Sequence, residues 1–311
     1  MPWRFVEMYG RMPFSDFVVA HALSENTRGL RMLSADRGEL SAASLNQLVS
    51  AVHRLEACWE LLRLGVGEGI YQRALDRLAA LSRELAPVAD DWSVQHTLLR
   101  LAQQSGKERS RTAMESVAGA LASLNVRAKR ALPLHERLSA VFEVDSCQWR
   151  ALPLSGFDEN AVLDGFERCY ESGRDNGQRA LDGAGEPAFA HWARWARATF
   201  HQLDLMRPAL GADNRARRWC LSRVNDGFDK QRGLLDVRGR LDTIALPIKD
   251  RIRVEALLET GLDECRCRVT KLFAHSYGPT PRQFRDAVWV DANRFAYENS
   301  GSWASSWPRS A

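Results

Sequence analysis

Apolar positions along the chain recur at i, i+3, i+4 and i+7, the period of an amphipathic helix. The pattern predicts helices over 45–64, 71–85, 94–104, 112–124, 134–144, 160–180, 189–206, 214–226, 231–241, 249–275 and 281–297. Leu75, Leu78, Leu81 and Leu85 form one such stripe. No segment combines strict alternation with β-branched enrichment, so the predicted fold class is all-α. Gly65-Val-Gly67-Glu-Gly69 ends the first of these helices, as glycine commonly does past a helix C-terminus. Pro87 is expected to interrupt the next, because its ring removes an N–H and crowds the preceding turn. Pro133 and the stretch Pro153–Gly156 flank a short central helix, and Asp182–Pro187 reads as a loop.

The break near 150–156 divides the chain into parts of similar size, residues 1–150 and 156–298, each predicted to be a bundle of about four helices. Residues 299–311, rich in serine, tryptophan and proline, read as a tail. Two helices share a further feature. VHRLEACWELLRL carries His53 and AHWARWARATFHQLDLM carries His191, and each is followed by a polar break and a second amphipathic helix. One helical unit is written twice. The expectation is two four-helix bundles related by an internal pseudo-twofold, with His53 and His191 facing a shared seam. In the first helix His53, Glu56, Glu60 and Arg63 fall on one face; in the second the same offsets give His191, Arg194, Ala198 and His201, with Arg197 at the edge.

Composition narrows the classes. The 311 residues are 45% hydrophobic and 26% charged, ordinary for a soluble globular protein. No apolar run approaches the roughly 20 residues that cross a bilayer. The opening MPWRFVEMYGRMPF has no signal-peptide core, so a cytoplasmic location without membrane attachment is expected. A net charge of +4 is weak for a dedicated nucleic-acid binder. The charge is uneven, however: from Cys265 to Arg285 there are five basic residues, Arg266, Arg268, Lys271, Arg282 and Arg285, and no acidic one. Such a run is usually a solvated helix face. The six cysteines lack paired CxxC spacing, so buried reduced thiols rather than a zinc site are expected. No nucleophile elbow, phosphate loop, dinucleotide fingerprint or H-E-x-x-H is present, so neither a catalytic constellation nor a cofactor is expected.

The paired histidine helices resemble the conserved histidine α-helical domain (CHAD) family, whose hallmark is a histidine followed at these offsets by arginines and lysines, once in each half of a duplicated helical fold. Tyr170-Glu-Ser-Gly173-Arg174 resembles the family's tyrosine–x–x–glycine–arginine run, and Lys271-Leu-Phe-Ala274 with Pro281-Arg-Gln-Phe284-Arg285 resembles its C-terminal segment. The resemblance spans roughly residues 5–295. It implies two four-helix bundles around a basic cavity and a non-enzymatic role in binding inorganic polyphosphate or a related phosphate-rich anion, with an association with polyphosphate granules. It marks His53, Arg63, Arg174, His191, Arg194, Arg197, Arg218, Lys271, Arg282 and Arg285 as anion contacts. Arginine forks and lysine point charges would hold the polyanion in a salt-dependent way, and histidine charge would switch near neutrality.

Several positions depart from the family pattern. Glu56 and Glu60 stand where it places cations, Ala198 stands where it places a lysine-like residue, Asp90-Asp91-Trp92 replaces an arginine–aspartate pair, and Arg232-Gly233 replaces an acidic turn residue. At ~4 Å and an effective dielectric near 20, each carboxylate–phosphate contact costs about 4 kcal/mol before screening. A second reading is therefore a degenerate scaffold that has lost anion binding and serves protein–protein interaction, with Arg63, Arg194 and Arg197 paired to Glu56 and Glu60 across the seam. A third makes His53, Glu56 and Glu60 metal ligands, although the Glu-x-x-His order of bundle metal sites is reversed. His53 and His191 are either anion contacts or hydrogen-bonded seam histidines, and His201 reads as structural. Tyr170 and Arg174 either orient a phosphate or pack in the seam. Trp192 and Trp195 flank Arg194 and read as packing residues more readily than as stacking platforms.

Overall fold

The computed structural model describes residues 14–35, 40–104, 108–125, 132–153 and 158–300. The tail beyond Ser300, the opening residues 1–13 and the segment 154–157 lie outside the described residues. Ten α-helices and one 3-10 turn form the described chain, with no strand among these residues. In order they are α1 (Phe14–Ala35), α2 (Ala42–Val66), α3 (Glu68–Gln104), α4 (Glu108–Asn125), α5 (Leu132–Arg150), α6 (Glu159–Leu181), α7 (Gly185–Leu205), α8 (Ala212–Arg240), α9 (Ile248–Tyr277) and α10 (Pro281–Ser300). The 3-10 turn Leu241–Thr243 links α8 to α9.

Local chemistry sets several of these ends. The Ser41 hydroxyl accepts the Ser44 N–H at 3.1 Å and caps α2; Asp158 accepts the Asn160 N–H at 2.9 Å and caps α6. Gly67, at φ 83, takes the left-handed backbone that separates α2 from α3 without a Cβ penalty. Pro187 falls within the first turn of α7, where the missing N–H has no helical partner to lose.

Three elements differ from the sequence pattern. Helix α1 was not anticipated, because it buries Ser15, Glu25 and Asn26 beside Phe17, Val18 and Ala22, and a hydrophobic periodicity treats such polar positions as solvent-facing. Helix α3 runs unbroken for 37 residues through position 87 instead of stopping there. Its two stretches are held in different cores, Leu85 in the larger and Val94 in the smaller, and this anchoring on both sides outweighs the lost backbone bond. Helix α8 likewise continues where a break at 226–231 was expected, since Gly227, Phe228 and Gln231 are all buried. The side chains of Asp90, Asp91 and Trp92 are outside the described residues.

Five helices, not four, therefore precede the midpoint and five follow it among the described residues. Within the first set α1 packs on α2, α2 on α3, α3 on α4 and α1 on α5. Within the second α6 packs on α7, α7 on α8, α8 on α9 and α6 on α10. Across them α2 meets α7, α3 meets α8 and α4 meets α9. The larger core draws on both sets, from Phe17 and Leu55 to Trp192 and Val288. A smaller core joins α3, α4, α8 and α9 through Leu98, Met114, Val237 and Leu258.

Buried polar groups add direction to this packing. Asp145 of α5 is fully buried and accepts three hydrogen bonds: from Asn26 Nδ2 of α1 at 2.9 Å, Trp59 Nε1 of α2 at 3.1 Å and Trp149 Nε1 at 2.8 Å. Burial nevertheless raises its pKa, outweighing those bonds. Gly165 of α6 lies so close to α2 that a Cβ there would stand 2.6 Å from the Leu61 carbonyl oxygen.

Candidate functional site

Helices α2, α3, α8 and α7 pack in a closed circuit, each touching the next, and enclose a cleft of about 610 Å³. Its walls are single helical faces. Gln72, Leu75, Asp76 and Ala79 of α3 repeat at i, i+3, i+4 and i+7, as do Phe228, Gln231, Arg232 and Leu235 of α8. Helix α7 contributes Glu186, Phe189, Ala190, Ala193, Arg194, Arg197 and Ala198, and α2 contributes His53, Glu56 and Glu60. Phe228 is braced edge-on by the fully buried Trp192, with ring centroids 5.1 Å apart, and Phe189 lies 6.1 Å from the same ring.

The charges do not form a basic cavity. Three arginines face five carboxylates: Arg194, Arg197 and Arg232 against Glu56, Glu60, Asp76, Glu186 and Asp236. Each arginine already has an acidic partner. Arg194 lies 3.4 Å from Glu60, Arg197 lies 2.7 Å from Asp229, and Arg232 lies 3.9 Å from Asp236. Glu60, 3% exposed, also accepts the Tyr71 hydroxyl at 2.7 Å and pairs with Arg168 of α6 at 3.3 Å. Arg168 donates as well to the Glu60 backbone carbonyl. Glu186 pairs with Arg238 and Arg266 at the rim. Glu56 makes no hydrogen bond or ion pair among the described residues. Burial pushes its carboxyl up, against the opposing pull of Arg194 and Arg197.

His53 and His201 are both held below the ordinary imidazole value. His53 is held well below its ordinary value, first by burial and then by Arg197, His201, Arg232 and Arg54. His201 stacks on it with centroids 6.3 Å apart and is lowered to about 3, again mainly by burial, with Arg54 and Arg197 adding to the effect. The seam partner of His53 is thus His201, whereas His191 is exposed and lies outside the cleft lining. The rotation of α7 decides this: its cleft face runs through positions 190, 194 and 197 and its core face through Trp192 and Ala196, and position 191 belongs to neither.

Of the ten anticipated anion contacts, His53, Arg194 and Arg197 meet in the cleft. Arg63 instead forks onto Glu68 with two 3.0 Å contacts, stacked over Tyr71. Arg218 pairs with Asp204. Arg285 ties α10 to α6 through Asp164 at 3.0 Å and Glu167 at 3.6 Å. Arg174, Lys271 and Arg282 lie outside the lining. Tyr170 is buried, stacks on Phe284 at 4.2 Å and donates to the Pro279 carbonyl, so it packs α6 against the α9–α10 connection. Trp192 is a core residue, while Arg194 lies over the Trp195 ring at 4.9 Å. Among the described residues no group of three or more histidine, cysteine, aspartate or glutamate side chains could hold a metal ion. No described helix is long and apolar enough to cross a membrane.

Sequence reasoning missed Asp76, Phe189, Phe228, Gln231 and Arg168. The first four carry a visible signal, the i, i+3, i+4, i+7 faces of α3, α7 and α8. Arg168 carries none, because it reaches Glu60 across 108 positions of chain. The chain matches no family model, no curated protein and no solved structure.

Proposed function

We propose that this chain is a CHAD-like, non-catalytic helical binding module whose central cleft has lost polyanion binding and which acts as an interaction scaffold. The pairing of α1 to α5 recurs in α6 to α10, with α2–α7, α3–α8 and α4–α9 crossing between the sets, and this supports an internal duplication of five-helix units. The observation that carries the functional reading is Glu60. A buried carboxylate pinned by Tyr71, Arg168 and Arg194 absorbs the positive charge that a phosphate chain would need. Every other cleft arginine is also paired, and the two buried imidazoles are neutral. A polyanion entering the cleft would meet five carboxylates in an apolar-walled space, where electrostatic penalties are larger than in water.

Titration with long-chain polyphosphate at about 50 mM and about 300 mM salt tests this reading. The expected result is no cleft-dependent binding: any residual low-salt affinity persists in Arg194→Ala and Arg197→Ala. Tight, salt-dependent binding that either substitution abolishes overturns the proposal.

A further inference from the structure

The cleft lining carries more carboxylates than arginines. Its arginines are committed to Glu60, Asp229 and Asp236, and Glu186 is committed to Arg238 and Arg266. Two lining carboxylates remain without an arginine. Glu56 has no polar partner among the described residues, and Asp76 accepts only the Gln72 amide at 2.9 Å. A third group points the same way. Gln231, 5% exposed, lines the cleft, and its Oε1 is shut off from solvent with no hydrogen-bond partner. Buried acceptors in this state are destabilised until a donor reaches them. The remaining lining is apolar: Leu75, Ala79, Ala193, Leu235 and the phenylalanines Phe189 and Phe228. Aromatic faces held rigidly by Trp192 suit an ammonium ion, which they attract through the ring quadrupole.

We propose that the cleft binds an organic ammonium ion with an apolar body, for which an aliphatic di- or polyamine is the simplest form. Glu56 is its counterion. The ammonium donates to Glu56, a turn of the Gln231 amide brings its Oε1 to the same ammonium, the methylene body lies along Phe189, Phe228 and Leu235, and a second ammonium group meets Asp76. A cleft of about 610 Å³ falls within the size range of small-ligand sites. The inference rests on the cleft being closed to polyanions, as proposed above. The shared chemistry has two sources, a free amine or the lysine side chain of a partner protein.

Calorimetric titration of the full chain tests it, with octane-1,8-diamine, a blocked lysine peptide and magnesium chloride as separate probes, at about 50 mM and about 300 mM salt. The expected result is saturable one-to-one binding of an amine, weakened several-fold at the higher salt. Affinity falls by about tenfold or more in Glu56→Gln and stays within about twofold in Glu143→Gln, a carboxylate exposed on α5 outside the cleft. Glu56 has no partner to lose, so its variant folds, and circular dichroism checks this. Tighter binding of the diamine assigns a free amine; tighter binding of the peptide assigns a partner's lysine. Equal affinity for magnesium overturns the proposal, because the apolar walls then contribute nothing, and so does amine binding that Glu56→Gln leaves intact. Absence of amine binding together with absence of polyphosphate binding overturns this inference alone. Absence of amine binding with cleft-dependent polyphosphate binding overturns the functional reading beneath it as well.

Discussion

Glu60 is where stability and ligand choice meet, and Glu60→Ala separates the contributions of its three partners. The Tyr71 hydroxyl bond, 2.7 Å to a buried carboxylate, is charge-assisted and contributes about 1.5–3 kcal/mol. The Arg168 side chain is 23% exposed, yet its Nε and Nη1 are shut off from solvent and unpartnered. Removing its counterion strands a largely enclosed guanidinium. The 3–5 kcal/mol typical of a fully buried pair falls to about 2 kcal/mol here, because some solvent screening remains and the bond to the Glu60 backbone carbonyl survives. The Arg194 side chain is 59% exposed and contributes less than about 1 kcal/mol. Together these predict a loss of about 3.5–6 kcal/mol. Equilibrium denaturation followed by tryptophan fluorescence measures it, with Arg168→Ala and Arg194→Ala completing double-mutant cycles. The coupling with Arg168 should exceed that with Arg194 several-fold. The same variant should gain low-salt affinity for polyphosphate, because two guanidiniums lose their counterion. A loss below about 1 kcal/mol, or equal coupling to both arginines, refutes the assignment of Glu60 as the buried hub of the seam.

Two further outcomes follow from buried titratable groups. His21, His53 and His201 all have folded pKa values below 6.5, with His201 near 3, so the unfolded chain binds protons first as pH falls. Their contribution to stability is complete above pH 6.5 and is lost as pH drops toward 3, at up to about 1.4 kcal/mol per pH unit for each group. The raised carboxyls of Glu56 and Asp145 act in the opposite direction. Denaturation between pH 6.5 and 4.5 should show a shallower slope in His201→Gln than in the wild type, and an unchanged slope refutes the assignment. Asp145→Ala strands two indole N–H groups and the Asn26 amide in the α1–α2–α5 seam and should cost about 3–5 kcal/mol by thermal or chemical denaturation. Asp145→Asn keeps one acceptor oxygen and should cost less.

The all-α architecture and the individual helices α2 and α7 are legible because their apolar stripes are long and strongly periodic. The α2–α3 boundary is equally legible, because Gly67 needs a backbone that other residues avoid. What escapes the pattern is polar and buried. Helix α1 hides Glu25 and Asn26 inside, so its amphipathic stripe is diluted, and Asn26 has its reason only in Asp145 on a distant helix. Pro87 looks like a stop until both flanking stretches are seen to be anchored in separate cores. His191 shows the limit for the site itself. Equal offsets from His53 and His191 define equivalent faces on two isolated helices, but which face meets the seam depends on how each helix is rotated against its neighbours.

The same limit separates the two acidic departures from the family pattern. On the sequence, Glu56 and Glu60 are interchangeable: both are carboxylates one turn apart on the histidine face, and both remove positive charge. In the fold they have opposite roles. Glu60 points into the seam between α2, α3, α6 and α7, where Tyr71, Arg168 and Arg194 neutralise it, and reversing its charge would strand two guanidiniums. Glu56, one turn earlier, faces the open cleft with no polar partner and a carboxyl raised by burial. A polyanion site that had simply decayed would leave its arginines unpaired and its space basic. Here Arg197 and Arg232 are each paired with an aspartate, Arg194 shares Glu60 with Arg168, and the lining sets five carboxylates against three arginines. The closure to polyanions proposed above accounts for Glu60 as architecture, but it leaves Glu56 unexplained, and a carboxylate with no hydrogen bond or ion pair among the described residues, set beside aromatic walls, is the group an organic cation would neutralise.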